Sequence, residues 1–274
     1  MIVFFTALII ISIATLAYIY RRKGRKVFTV KKMTIMSMFL TIFIIQTAIG
    51  IPFSGGPFKM FSFEIVTILA VGFLFGPLEG MMYGMTSGWV GMLIGGYFQL
   101  MLFGFIKPLA GLMAGLAGYA YVSSKKRENN LKNAIVFQLS IILVTLLPFL
   151  TFLFLSNTSV SLTVALITAL VSFTLMQILF FVSLRKEKED KGEWLTLITV
   201  IVVLTILYRA LSIYLYSYAV HYYYSIDLRI AFLDRIITSS YLVPSTAFIT
   251  TLLVSTSIYA ANQSTGTKSF GMIV

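Results

Sequence analysis

The sequence has no cysteine and a single histidine, His221. The absence of cysteine excludes disulfide bonds and thiolate metal sites, and one histidine argues against a histidine-based metal site. No Ser/His/Asp set, HExxH motif or G-x-x-x-x-G-K-[ST] phosphate loop is present. The sequence therefore predicts that the protein is not an enzyme, that it holds no resident cofactor or metal, and that it does not itself hydrolyse ATP.

Charge is also scarce, since charged residues make up only 11% of the chain and hydrophobic residues 59%, with a mean hydropathy of +0.96. This composition excludes a water-soluble domain and predicts an all-α protein that crosses the membrane several times. Runs of roughly 17 to 25 apolar residues have the length that crosses a bilayer as a helix. We expect nine spans, at 2–20, 33–52, 61–76, 78–96, 101–122, 133–155, 160–184, 194–219 and 230–260.

The net charge of +12 comes mainly from three basic connections, at 21–32, 125–132 and 185–191. The alternate connections, at 53–60, 97–100, 156–160 and 220–229, hold only one lysine and one arginine, Lys59 and Arg229. By the positive-inside rule the three basic connections are cytoplasmic. We therefore expect a multi-pass plasma-membrane protein with its N-terminus outside, its C-terminus in the cytoplasm and no nucleic-acid partner. The first span lacks a basic segment before it and a small-residue cleavage site, so it is expected to be retained.

Ionisable side chains inside the spans indicate a candidate binding site, because they are costly to place in lipid. On this topology they lie in the outer half of the bundle, together with aromatic residues. The aromatic residues suit either an interfacial belt or a pocket with stacking walls. Lys107 and Arg209 could also form structural ion pairs with Glu64 or Asp234. The candidate substrate-binding residues are Lys59, Phe63, Glu64, Trp89, Tyr97, Lys107, Arg209, Arg229, Asp234 and Arg235.

Small residues indicate two places of close helix packing. Gly76 and Pro77 predict a tight turn, and the glycines that follow at 80, 84, 88, 91 and 95 predict a smooth helix stripe. Ser37, Thr41 and Ala48 fall on one face of the second span and are candidate partner-coupling residues, although contact within the chain would explain them equally well.

Several segments together resemble one family. They are 30–34 with Ser37 and Thr41, the polar segments 54–59 and 61–65, the Gly-Pro segment 72–80, 107–115, and 234–236 followed by Val243 and Pro244. In these segments the chain resembles the substrate-binding S component of energy-coupling-factor (ECF) vitamin transporters, most closely the folate-type members.

The resemblance implies a polytopic helical bundle with a six-helix S-component core plus about three extra transmembrane helices. It also implies a subunit that captures a water-soluble vitamin or cofactor for import, with folate favoured and riboflavin or coenzyme A as alternatives. Its partners would be an ECF T component and two ATPase subunits that hydrolyse the ATP. The family's alanine-xxx-alanine coupling motif corresponds to Ser37 and Thr41, which keep the small size but add hydroxyls.

On this interpretation the chain divides into four parts. They are an extra helix and basic linker at 1–26, core helices one to four at 27–124, an inserted helix pair at 125–192, and core helices five and six with the tail at 193–274. Two other classes stay open: a membrane-embedded enzyme acting on lipid, and an ion-coupled secondary transporter.

Overall fold

The computed structural model describes residues 29–49, 51–52, 59–61, 63–95, 101–125, 130–154, 162–190, 193–225 and 227–265, together with Ala14 and Tyr18. The predicted span 2–20 therefore lies almost wholly outside the described residues, and Tyr97 lies outside them too.

Helices make up nearly all of the described chain, which confirms the all-α prediction. The eight described helices are α1 (Val30–Ile49), α2 (Glu64–Phe75), α3 (Pro77–Gly95), α4 (Met101–Lys125), α5 (Asn130–Phe154), α6 (Leu162–Asp190), α7 (Glu193–Tyr224) and α8 (Leu228–Thr265). A short antiparallel pair, β1 (Ile51–Pro52) and β2 (Lys59–Phe61), separates α1 from α2, with Ile51 opposite Phe61.

Among the described residues, three helical segments are long and apolar enough to cross a membrane, at Leu166–Arg185, Trp194–Tyr218 and Leu228–Ala260. Shorter apolar helices occupy Lys32–Ala48, Glu64–Phe75 and Lys132–Leu146. The fold is thus that of a multi-pass helical membrane protein. The structure does not confirm the six-helix S-component core.

The chain forms two compact units, one comprising residues 1–122 and 252–274 and the other residues 123–251. In the first unit α1, α2 and α3 pack against one another. In the second unit α5, α6 and α7 do the same. The core of the first unit is centred on α2, whose residues from Ile65 to Phe75 are all buried.

The predicted Gly-Pro turn joins α2 to α3, as expected. Gly76 has φ 116°, a backbone region that residues with a Cβ rarely adopt. Its N–H donates to the Gly72 carbonyl at 2.9 Å. Pro77 begins α3, where its missing N–H would have had no partner within the helix. The chain therefore reverses in a single residue between two apolar helices.

The predicted glycine stripe of α3 lies against the backbone of α4. A Cβ built on Gly80 would overlap the Gly111 carbonyl oxygen, and one built on Gly84 would overlap the Lys107 carbonyl oxygen. A Cβ on Gly72 of α2 would lie 2.5 Å from the same Gly111 oxygen. These helices approach closely only because no side chain stands between their backbones.

Candidate functional site

A buried ion pair lies beside the Gly-Pro turn. Lys32, near the start of α1, donates from Nζ to Oε1 of Glu79 in the first turn of α3, at 2.9 Å. The side chains are 6% and 0% exposed, so the pair is shielded from solvent. The second carboxylate oxygen, Oε2, is buried with no hydrogen-bond partner among the described residues. A charge in such a place is retained only because its counter-ion is close.

A second ion pair lies at the other end of α2. Lys107 of α4 donates from Nζ to Oε2 of Glu64, the first residue of α2, at 3.1 Å. Both side chains are 15% exposed, so this pair is more accessible than the first. The same Nζ lies 4.7 Å from the ring centroid of Phe43, within the range of a cation–π contact.

Local backbone features position Lys107. Its carbonyl lies against Gly84, and its ammonium lies close to Gly91, where a Cβ would come within 2.8 Å of Nζ. Pro108 follows it inside α4 and removes one backbone donor from that helix. The glycines of α3 thus leave room for Lys107 to reach Glu64.

The two ion pairs are connected by one helix. Glu64 begins α2 and Glu79 follows its turn, and α2 has 12 residues. At 1.5 Å per residue, the two carboxylates stand about 18 Å apart along α2. A change at one pair therefore has a short, fully buried path to the other.

In the second unit the candidate residues Arg209 and Arg235 lie among tyrosines. Nη2 of Arg209 donates to Oγ1 of Thr246 at 3.4 Å, and the Arg235 guanidinium lies 5.1 Å from the ring centroid of Tyr216. The electrostatic neighbours of Arg209 include Tyr241 as well as Arg235. The structure thus brings two of the predicted cations into one cluster.

The other predicted site residues are more scattered. Phe63 is half-buried just before α2, Trp89 is 49% exposed on α3, and Arg229 is exposed on α8, where its backbone N–H donates to Oδ1 of Asp227. The side chains of Lys59 and Asp234, and all of Tyr97, lie outside the described part of the structure. Their roles stay predictions.

The predicted coupling face on α1 is exposed at Ser37, Thr41 and Ala48. The two hydroxyls donate to carbonyls of their own helix, those of Met33 and Ser37. This face is available to lipid or to another helix, and nothing in the described residues favours either.

Sequence reasoning missed Lys32 and Phe43. The positive-inside rule assigns Lys32 to the cytoplasmic basic residues, yet its side chain is buried against Glu79. The available signal was Glu79 itself, since an acid in a glycine-rich apolar helix requires a nearby cation. Phe43 is one of many apolar residues, and nothing in the sequence distinguishes it. Among the described residues no group of three or more His, Cys, Asp or Glu could hold a metal ion.

The comparisons with known proteins overturn the predicted family. The model of one family, described as 5TMR of 5TMR-LYT, matches residues 13–187. This is the five-transmembrane receptor of LytS-type histidine kinases, a membrane sensor domain. No curated protein and no solved structure matches the chain.

The prediction of an ECF S component that imports folate, riboflavin or coenzyme A was therefore wrong, as were the T-component and ATPase partners. The match also gives no support to a membrane enzyme or a secondary transporter. The features that suggested the resemblance, a Gly-Pro turn and glycine-rich helices, are general solutions to close helix packing in lipid and do not identify a transporter. Because its match covers well over half of the 274 residues, the chain belongs to the 5TMR-LYT family.

Proposed function

We propose that this protein is the membrane receptor part of a sensor that reports to a histidine kinase, located in the same polypeptide or in a partner. The observation that carries the proposal is the family match over residues 13–187, which runs from before α1 almost to the end of α6. Both ion pairs of the first unit fall within the matched segment.

The Glu64–Lys107 pair is the input site of this proposed sensor. Its 15% exposure lets a stimulus reach it, whereas the Lys32–Glu79 pair is enclosed. A ligand group or a local field that draws Lys107 away from Glu64 also removes it from the Phe43 ring, so the change alters α1 and α4 together.

In this proposal the Lys32–Glu79 pair receives the displacement that begins at the Glu64–Lys107 pair. Because α2 is buried from Ile65 to Phe75 and closely packed at Gly72, a small displacement at Glu64 is carried along the helix rather than absorbed by loose packing. The direction of transfer follows from the charge topology. The basic residues before α1 suit the cytoplasmic side, which places Lys32 and Glu79 near the cytoplasm and Lys107 toward the outside.

On this proposal the chain performs no catalysis of its own and binds no resident cofactor. The phosphoryl chemistry is carried out by the kinase to which the receptor is coupled. The matched residues end at 187, so α7 and α8 lie beyond them and are an addition to the receptor segment.

Deletion and complementation in the native host test the proposal. Loss of the gene is expected to change the transcription of a defined set of genes, and the wild-type gene is expected to restore it. Lys107→Gln should fail to restore the response, whereas Lys132→Gln, which changes an exposed lysine of α5, should restore it fully. Unchanged transcription combined with lost uptake of a solute would contradict the sensor function.

A further inference from the structure

Helices α7 and α8 form an antiparallel hairpin whose turn is at Ser225, where φ is 53°. Three contacts join the two helices. Tyr214 lies against Phe232, Arg235 lies over Tyr216, and Arg209 bonds to Thr246. This hairpin follows the residues that the family model matches, so the family does not account for it.

Arg209 lies well inside the apolar part of α7. It precedes the end of the Trp194–Tyr218 segment by nine residues, which is about 13 Å of helix. Its Nε is buried and has no hydrogen-bond partner among the described residues, and its described hydrogen bond is to the Thr246 hydroxyl. A guanidinium group in an apolar helix destabilises the protein when one of its N–H donors has no acceptor. A further acceptor that accepts from this donor would remove that cost.

The surroundings of Arg209 suit an anion. A second cation, Arg235, is an electrostatic neighbour, as are the tyrosines at 208, 216 and 241. Arginine presents its donors in a fixed fork that matches the two oxygens of a carboxylate or phosphate group. An oxyanion at this position would meet the unused donor of Arg209, and the positive charge of Arg235 would add to its attraction.

We propose that the α7–α8 hairpin binds an oxyanion, a phosphate or carboxylate group, at Arg209 and Arg235, with Thr246 and the neighbouring tyrosines completing the site. The group is supplied either by an anionic lipid or by a small soluble anion. Exposed Tyr214 and Tyr218 on the same stretch of α7 offer an amphipathic surface next to the site, which suits a ligand that arrives from the membrane interface. The proposal does not depend on the sensor function.

The test uses the purified full-length protein in nanodiscs. In nanodiscs of equimolar phosphatidylcholine and phosphatidylglycerol, native mass spectrometry measures retained phosphatidylglycerol. In nanodiscs of phosphatidylcholine alone, equilibrium dialysis measures bound inorganic phosphate. Retention of lipid identifies a headgroup as the source, and binding of phosphate identifies a soluble anion; either result supports the site.

The variants assign the binding to the named residues. Arg209→Gln and Arg235→Gln should each weaken it by about tenfold or more, the loss expected for one charge-assisted hydrogen bond. Arg185→Gln removes an exposed arginine of α6 in the same unit and should leave binding unchanged. Arg209→Lys keeps the positive charge but loses the forked arrangement of donors, so it should also bind the anion more weakly than wild type. This variant tests the site if Arg209→Gln fails to fold.

Three results would overturn the proposal. The first is the absence of binding in both kinds of nanodisc. The second is an equal loss of binding in the Arg185→Gln and Arg209→Gln variants, which would indicate attraction by surface charge alone. The third is binding that occurs only in Asp234→Asn, which would show that Asp234 is the counter-ion of the arginines in the native protein.

Discussion

Two lysine–glutamate pairs, Lys32–Glu79 and Lys107–Glu64, account for the acidic side chains described in the first unit, and they differ in what surrounds them. Lys32–Glu79 is enclosed and leaves one carboxylate oxygen without a partner among the described residues. Lys107–Glu64 is partly accessible and shares its ammonium with an aromatic ring. Burial makes the first pair a structural requirement, and accessibility makes the second the better candidate for responding to a stimulus.

Removing one member of the enclosed pair should destabilise the protein strongly. Lys32→Met leaves the Glu79 carboxylate buried without its cation, and the expected cost is about 3–5 kcal/mol. The double variant Lys32→Met/Glu79→Met should recover most of that loss, because it leaves no unpaired charge. Thermal unfolding in detergent measures both, with Lys132→Met as the exposed-lysine control. Equal destabilisation by Lys32→Met and Lys132→Met would show that the pair contributes little.

Breaking the accessible pair should cost less stability. We expect Lys107→Gln to lower the free energy of unfolding by about 1–3 kcal/mol, the range for one hydrogen bond between charged groups with partial access to water. The charge exchange Lys107→Glu/Glu64→Lys should restore part of this stability. It should not restore the full response, since the cation then stands on α2 instead of α4. Full restoration of the response would mean that only the presence of a pair matters.

The sequence predicts the acidic and basic members of the site and offers Glu64 as one of two possible partners of Lys107, which the structure confirms. It does not predict the pairing of Lys32 with Glu79. Glu64, Lys107, Arg209 and Arg235 are identifiable because an ionisable side chain in an apolar run is costly in lipid. Lys32 is not, because a lysine at the cytoplasmic start of a span satisfies the positive-inside rule without being buried. Pairing depends on which helices meet, and helical periodicity carries no information about that.

At the scale of elements, the α2–α3 turn and the contact of both helices with α4 follow directly from glycine and proline. Gly76 supplies the left-handed backbone at the turn, and Gly80 and Gly111 let two backbones touch. The sequence predicts the turn and the smooth stripe on α3. It does not predict that α4 is the neighbour, because small residues are also present on other spans.

A single methyl group tests this packing. Gly111→Ala places a Cβ against the Gly80 carbonyl, where backbone on both sides leaves no flexible side chain to move aside. We expect a loss of about 1–3 kcal/mol in unfolding free energy, the usual cost of overpacking. Leu116→Ala, at an exposed position of the same helix, is the control and should change stability little. Differential scanning fluorimetry in detergent measures the difference, and unchanged stability in Gly111→Ala would refute the close approach.

At the scale of the whole molecule, composition alone predicts a multi-pass helical protein, and the structure and family agree. Hydropathy identifies runs of spanning length because the bilayer fixes that length, and among the described residues three of the nine predicted spans are long and apolar enough to cross it. Function could not be predicted in the same way. The Gly-Pro turn, the glycine stripe and the Lys107–Pro108 segment serve tight helix packing, which receptors and transporters both need, so they suggested the wrong family.

Purification of the tagged protein from native membranes in a mild detergent, followed by incubation with γ-labelled ATP, tests the central claim most directly. The sensor account predicts that a histidine kinase is part of the purified material, and that it acquires an acid-labile, base-stable phosphohistidine whose amount falls in Lys107→Gln relative to Lys132→Gln. Purified material with no phosphohistidine, containing instead a transmembrane subunit and two ATPases, would contradict the account.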